Sequence, residues 1–560
     1  MPKKKRGSEG KTLQSLNIRP YHLILGAFVV AGILYLNIDK VPLTHPGNIK
    51  SADAFYHVMA VESIIDTHQW NYYDYYIALG NEKVLSVQPP LYYLNSAILS
   101  TFSEAPPWVS LYFLVTISQA FLTIVVYLIA KEVFENKNIA LMAGFLSVLP
   151  VPVNVWLYGL YIGLWIQVVS FFFILSFMWL FIRFFKTDET WPLLFISLCT
   201  LAVMLVHPQD LIILAIPYFT VAGRLFYTYL NNKNLKEFIV RASIISVIPL
   251  ILFITLLPRF LYVWGAGSSA NYLPGFYGVN ELYFTRNYLG GLVTPDLFFI
   301  PWPLLVLLLF GIIQLIINYR RYSLWLISIV YYLFITYISP FVLIDPHYFM
   351  RTRALTPFLF FPIIAYSIYY LIIRNIKVKK SYQYLLSVLI GCLFIAYSFS
   401  NYNQQVKQMS GEHIPYNEWK ALEWIHTNTQ KTDTVLFLGG TFQSEEIYAK
   451  RISAAISIDE VQKILNQYLA TNSTPTTING GWTGNTLRHS YKIEDSFWNI
   501  GSYEEPSGVL NLLDFDYIFF SGINQQFVAF NNLIAKDLIE NKNFRLVYND
   551  AGYMILKNEN

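Results

Sequence analysis

Charge is the scarcest commodity in this 560-residue sequence: Asp, Glu, Lys and Arg together make up 13% of it. A soluble domain carries about twice that fraction, so a water-filled surface around a single large globule is excluded. Cysteine is nearly absent. Cys199 and Cys392 both fall inside apolar runs, which excludes a disulfide framework. There is no Walker sequence, no glycine-rich nucleotide loop after a strand, and no Cys/His metal spacing. Gly439-Gly440 ends a candidate strand but lacks the rest of a dinucleotide fingerprint. Basic residues are scattered over short loops and form no patch, so nucleic acid is excluded as a partner. No fixed-period repeat and no low-complexity tract breaks the chain.

What the sequence has in abundance is apolar surface. Hydrophobic residues reach 55%, aromatics 17%, and the mean hydropathy is +0.42. They gather into runs at 21–38, 108–130, 138–153, 159–182, 190–206, 208–229, 238–263, 297–318, 323–343, 354–373 and 382–400. Most are long enough to cross a ~30 Å hydrocarbon core at ~1.5 Å per residue, which predicts about eleven transmembrane helices. The basic stretch from Met1 to Lys11 precedes the first run, and no small-residue cleavage site follows it. An uncleaved first span is therefore expected. The segment PPLYYLNSAILSTF, 89–102, is apolar but would reach only about 21 Å as a helix, so it is placed at the interface.

Charge sets the expected orientation. Basic residues on short loops belong on the cytoplasmic side. With a basic cytoplasmic N-terminus (1–20) and eleven spans, the inner loops hold Lys131 and Lys137, Arg183 and Lys186, Lys233 and Lys236, Arg320 and Arg321, then Arg374, Lys377, Lys379 and Lys380. The outer side then receives a first loop (39–107), the turn after His207, a Gly/Ser/Asn/Tyr-rich loop expected to be mobile (264–296), and the turn LIDPHYFMRTR. From 401 onward the composition turns polar, which predicts a separate extracytoplasmic α/β domain over 401–560. Within it, YNEWKALEWIHT has helical spacing, Thr434 to Leu438 and Phe515 to Phe520 read as strands, and Phe544 to Leu556 reads as a hairpin.

Four places could carry chemistry. In Asp53-Ala54-Phe55-Tyr56-His57 a helix would set Asp53 and His57 on one face, where a carboxylate and an imidazole can bind a divalent cation or activate a hydroxyl. The plainer reading is a solvated helix face. Arg351 and Arg353 stand at an outer boundary against the positive-inside bias. A guanidinium there suits a lipid phosphate, whereas snorkelling or pairing with Asp345 is the plain alternative. In His207-Pro208-Gln209-Asp210 a polar group facing an outer cavity competes with a simple helix break, with Asp210 capping the next helix. Glu281 is the only glutamate of the 264–296 loop. The triplet Asn472-Ser473-Thr474 is a possible glycosylation sequon.

The string SADAFYHVMAVESIIDTHQW after a first span, followed by QPPLYYLNSAIL, resembles the GT-C superfamily of integral-membrane glycosyltransferases. Its layout is closest to the archaeal and eukaryotic oligosaccharyltransferase catalytic subunits, and EWKALEWIHTNTQKTDTVLFLGG is similar to the start of their outer domain. The resemblance implies transfer of a sugar from a polyprenyl phosphate or pyrophosphate donor to a protein or glycan acceptor on the outer face, with inversion at the anomeric carbon. It places Asp53 as base or metal ligand, His57 beside it, Arg351 or Arg353 on the donor phosphate, and Glu281 towards the acceptor; His207, by its position at a span end, would face the same cavity, and a divalent ion at Asp53 would be Mg²⁺ or Mn²⁺. Two features depart from the oligosaccharyltransferase pattern. The second outer loop, VPVNVWLYGLYIG, has no carboxylate, and Gly480-Gly481-Trp482-Thr483-Gly484 is not a Trp-Trp-Asp signature. A multi-pass plasma-membrane glycosyltransferase is thus expected, with an oligosaccharyltransferase-like enzyme, a transporter, or an assembly factor with a sensory outer domain as alternatives.

Overall fold

The computed structural model describes residues 52–70, 90–148, 165–269, 302–338, 352–376, parts of 382–393, 414–439, 448–456, 458–479, 482–484, 509–522 and 525–560. The described residues begin with two helices, α1 (Ala52–Thr67) and α2 (Pro90–Ser103). A bundle follows: α3 (Pro107–Phe134), α4 (Lys137–Val148), α5 (Trp165–Thr187), α6 (Trp191–Val206), α7 (Leu211–Asn232), α8 (Leu235–Ser269), α9 (Trp302–Ile317), α10 (Tyr319–Leu333) and α11 (Thr356–Ile368). The last two run on into single π turns, Phe334–Ile338 and Tyr369–Ile373. The segment 89–102, read from sequence as a short interfacial helix, is the 14-residue α2. The expected spans at 21–38 and 382–400 lie outside the described residues or nearly so.

Local chemistry sets the helix ends. Proline opens α2 and α3, where a missing N–H costs nothing. Glu135, at φ 54°, closes α3 in the left-handed region, its N–H bonding to the Lys131 carbonyl. Among the described residues, five helical stretches are long and apolar enough to cross a membrane: Pro107–Phe134, Trp165–Thr187, Pro208–Asn232, Leu235–Leu256 and Thr356–Ile373. Trp191–Val206 and Leu304–Ile317 are apolar but shorter. The chain is a multi-pass membrane protein.

The charged loops that sequence assigns to the inner side meet at one end of this bundle. Lys186 lies 2.6 Å from Glu135, Arg183 lies 3.1 Å from Glu132, and Arg321 lies 3.4 Å from Glu135. Arg241 bridges Asp188 and Glu237 at 3.3 and 2.9 Å. Lys186 and Arg321 together hold the Glu135 carboxyl below its ordinary range. The opposite end of α3, about 40 Å away along a 28-residue helix, carries Trp108 and touches the C-terminal region.

That region is a mixed sheet. Its helices are α12 (Tyr416–Asn428), α13 (Ile458–Thr471) and α14 (Gln525–Asn541). Its strands are β1 (Thr434–Leu438), β2 (Ile452–Ile456), β3 (Thr477–Asn479), β4 (Trp482–Gly484), β5 (Val509–Asn511), β6 (Tyr517–Phe520), β7 (Phe544–Asp550) and β8 (Tyr553–Asn558). The order is β4-β2-β1-β6-β8-β7, with β3 and β5 forming a separate pair. β1 runs parallel to both β2 and β6, and the β8 pairings are antiparallel. Because helices cover both faces, TVLFL is almost wholly buried rather than alternating. Val435 and Phe437 join the core shared with α12 and the bundle, while Leu436 and Leu438 face the core that includes Val461, Ile534 and Leu538. The β7–β8 hairpin turns on Ala551 and Gly552, both at positive φ (50° and 89°), as a two-residue primed turn requires.

Candidate functional site

His57 sits on the second turn of α1, four residues after Asp53, so the two backbones share one helix face. Its imidazole is 5% exposed, and Nδ1 lies 2.8 Å from the Tyr93 hydroxyl. Tyr92, Tyr93 and Trp165 surround the ring with centroids at 6.2, 5.7 and 5.7 Å. The adjacent tyrosines of PPLYY thus have different duties. Tyr93 meets the histidine, and Tyr92 donates to the Leu111 carbonyl at 2.8 Å, tying α2 to α3. Trp165, the first residue of α5, is held in turn by Tyr112. The aromatic box fixes the height and rotation of α1, and with them the backbone of Asp53. The Asp53 side chain lies outside the described residues.

His207 closes α6, and its Nδ1 lies 3.0 Å from Oδ2 of Asp210. Both are buried, Asp210 completely. Pro208 breaks the helix as expected, but the expected cap does not form. Asp210 makes no side-chain cap bond to α7 and turns its carboxylate towards His207 instead. At 3.0 Å the imidazole offsets part of the cost of burying that carboxylate.

The turn Arg353–Leu355 leads into α11. Its flanks are locked by a buried hydroxyl network: Tyr332 bonds to the Thr352 carbonyl and to Thr356 Oγ1, each at 2.8 Å, and Tyr337 reaches the same Oγ1 at 2.8 Å. Tyr331, the residue before Tyr332, donates to the Ile212 carbonyl at 2.5 Å, which ties α10 to the start of α7. The side chains of Arg351 and Arg353, and the whole of Glu281, lie outside the described residues.

These pieces share one end of the bundle. α10 starts beside Glu135 through Arg321 and reaches Tyr332 eleven residues later. α6 starts where Trp191 Nε1 donates to Glu189 and finishes at His207. α5 ends at Lys186 beside Glu135 and starts at Trp165, against His57. His57, His207 and the Arg353 turn therefore lie away from the charged loops, at the end that the C-terminal sheet occupies.

Sequence reasoning did not find the junction between that sheet and the bundle. Trp108 meets Trp419 and Tyr448 edge-on, at 5.3 and 6.2 Å, and those two meet each other at 4.9 Å. Lys450 Nζ lies 3.0 Å from Asp66 and 3.6 Å from Glu62 on α1. Burial and the Glu62 charge push the Tyr448 hydroxyl well above its ordinary value. Burial, with Lys450 and Arg451 alongside, pulls His426 down to about 4. A sequence signal for this contact was two carboxylates, Glu62 and Asp66, in the last turns of α1, whose last turn holds no basic residue.

For a metal ion, the described residues offer no group of three or more His, Cys, Asp or Glu side chains. His57 has its Nδ1 committed to Tyr93, and His207 with Asp210 makes only a pair. The described donors do not build a cation site. The sequon fares similarly as a surface feature: Asn472 is exposed, but Thr474 is buried and its N–H is held by Asp537 at 2.7 Å.

Compared by sequence, no curated protein matches the chain. Compared by structure, the chain is similar to the Archaeoglobus fulgidus oligosaccharyltransferase in its apo form (TM-score 0.50, 13% identity, 77% of this chain and 64% of that one). It is also similar to the same organism's oligosaccharyltransferase AglB in complex with an inhibitory peptide and a dolichol-phosphate (TM-score 0.50, 14% identity, 96% and 74%). ArnT from Cupriavidus metallidurans in the apo state matches nearly end to end (TM-score 0.50, 12% identity, 96% and 97%). The chain thus spans 64% to 74% of the oligosaccharyltransferase chains but almost all of ArnT. At these identities the likeness establishes the fold, which is that of the GT-C membrane glycosyltransferases. A family model matches residues 2–367, well over half the sequence, and the chain belongs to that family, the family of unknown function DUF6541.

Proposed function

We propose that this chain is a GT-C glycosyltransferase that moves a sugar from a polyprenyl-phosphate or pyrophosphate donor to a protein or glycan acceptor at the outer face of the plasma membrane. The observation that carries the reading is the placement of α1, with Asp53 and the boxed His57, at the sheet end of the bundle together with His207 and the Arg353 turn. The fold neighbour solved with dolichol-phosphate supports a lipid-linked donor. The near end-to-end match with ArnT supports a smaller enzyme than the oligosaccharyltransferases.

In this reading about eleven helices cross the membrane, residues 1–20 are cytoplasmic, 21–400 form the membrane domain and 401–560 lie outside. Gathering the basic loops at the far end from the sheet supports that orientation. Asp53 takes the proton of an acceptor hydroxyl, and its oxygen attacks the anomeric carbon. The bond from that carbon to the phosphate oxygen breaks, the phosphate leaves with the electron pair, and one displacement inverts the centre. Arg353 or Arg351 holds the charge that develops on the leaving phosphate. Glu281 and His207 contact the acceptor side. A divalent ion at Asp53, Mg²⁺ or Mn²⁺, would sharpen the acceptor's acidity, and no step above depends on it.

The test is incubation of the purified full-length protein with a panel of polyprenyl-phosphate hexoses and candidate acceptors, read by mass spectrometry. A mass gain of one hexose on the acceptor is expected. Donor that crosses liposomes unaltered, with no transfer under any acceptor, would instead identify a transporter.

A further inference from the structure

α1 carries Glu62 and Asp66 in its last two turns and has no basic residue in the last turn. Carboxylates there oppose the negative end of the helix macrodipole, and a helix standing alone is weakened by them. Glu62 is also buried, at 7% exposure, which is costly for a carboxylate without a cation. The cation comes from the other end of the sequence. Lys450 reaches both carboxylates, at 3.0 and 3.6 Å, with its own side chain mostly buried.

Lys450 is not a loose surface arm. Its backbone is in the left-handed region (φ 50°), a conformation costing about 1 kcal/mol or more for a residue with a side chain. The next residue holds it there. Arg451 is 3% exposed and donates Nη1 to the Lys450 carbonyl at 2.8 Å. It donates Nη2 to the carbonyls of His426 and Thr429 at 2.9 and 2.7 Å, and Nε to Thr429 Oγ1 at 2.8 Å. The last carbonyls of α12 are thereby capped, and α12 is itself pressed onto Trp108 through Trp419. The ammonium is thus fixed relative to the bundle by an arginine bolt on one side and an aromatic contact on the other.

We propose that Lys450 is a positioning residue: it clamps the C-terminal end of α1, so that the outer domain sets where the Asp53–His57 turn stands. Asp53 lies nine residues, about 13 Å of rigid helix, from Glu62. The aromatic box holds one end of α1, and Lys450 holds the other. The catalytic consequence rests on the glycosyltransferase reading, whereas the mechanical one does not.

The experiment is hydrogen exchange on the purified full-length chain, alongside transfer from a polyprenyl-phosphate hexose. Lys450→Met is expected to speed exchange of the α1 amides at least tenfold while β1, β6 and α3 stay within twofold of wild type. Asp66→Asn, on the other side of the contact, reproduces the effect, and Lys450→Arg restores slow exchange. Transfer by Lys450→Met shows kcat down at least tenfold with the donor KM unchanged. Unchanged α1 exchange in Lys450→Met and Asp66→Asn overturns the proposal. So does exchange rising equally across the sheet in both, which would make the lysine a general domain tether. If Lys450→Met does not fold, Asp66→Asn decides alone. A wild-type protein that transfers no sugar but shows the exchange pattern defeats the functional reading and leaves the clamp standing.

Discussion

Gly311 on α9 stands close against α11, and adding one methyl group there has a calculable effect. A Cβ at this position would stand 2.5 Å from Cγ2 of Ile363, 2.6 Å from Oγ of Ser367 and 2.9 Å from the Ile363 carbonyl oxygen. Ordinary carbon contacts are about 3.5–4.0 Å, so roughly an ångström is missing against Ile363 Cγ2 and about half an ångström or more against the two oxygens. Nothing there yields easily. The Ile363 side chain is branched at Cβ, the Ser367 hydroxyl is bonded back to the Ile363 carbonyl at 3.1 Å, and the carbonyl moves only with its helix. Gly311→Ala therefore drives α9 and α11 apart, at about 1–3 kcal/mol for overpacking. Thermal unfolding in a single detergent is expected to fall by roughly 1–4 °C for a unit of this size. α11 starts at Thr356, the hub of the Tyr332 and Tyr337 bonds beside the Arg353 turn. Its displacement is expected to lower sugar transfer as well. Ile363→Ala on top of Gly311→Ala removes the worst contact, so the pair is less harmful than the sum of the singles. A Gly311→Ala protein that melts within a degree of wild type would refute the packing argument.

Three further outcomes follow from the same geometry. Tyr93→Phe leaves the buried His57 Nδ1 without its 2.8 Å partner, a loss of about 1–3 kcal/mol; transfer is expected to drop roughly five- to hundredfold, and unchanged kinetics would show that the box is packing only. His426, at about 4 when folded against an ordinary 6.5, binds its proton first in the unfolded chain. Stability is therefore full above pH 6.5 and declines as pH falls towards 4; solvent screening at this half-exposed ring brings the ideal ~3 kcal/mol down to about 1, and His426→Asn is expected to flatten that part of the pH profile. Trp108→Ala removes a buried aromatic that touches both Trp419 and Tyr448, at about 3–5 kcal/mol, and exchange of the α12 amides is expected to quicken more than that of α5.

The C-terminal domain was legible where its signals were local. Helical spacing of Trp419, Leu422 and Ile425 marked α12, the run TVLFL marked β1 to the residue, and Asn549-Asp550-Ala551-Gly552 marked the hairpin. β2 escaped notice because ISAAI is small and mild, flanked by Lys450 and Arg451, and becomes a strand only through its parallel pairing with β1. The site was half legible. His57 was visible as one face of a short helix, but its partner Tyr93 stands 36 residues away in a segment whose length and apolarity were the features that drew attention. Lys450 carries no local sequence signal, since only tertiary contact sets it against Glu62 and Asp66. The Asp210 carboxylate faces His207 rather than the helix end because burial changes which partner it needs.

The most direct measurement compares wild type with Asp53→Asn in single-turnover transfer from a saturating polyprenyl-phosphate hexose, both proteins first matched for melting temperature. Loss of the proton acceptor at unchanged volume predicts a rate at least a thousandfold lower with donor binding intact. Transfer by Asp53→Asn at the wild-type rate would contradict the account, because the Asp53 carboxylate would then not be needed for the chemistry.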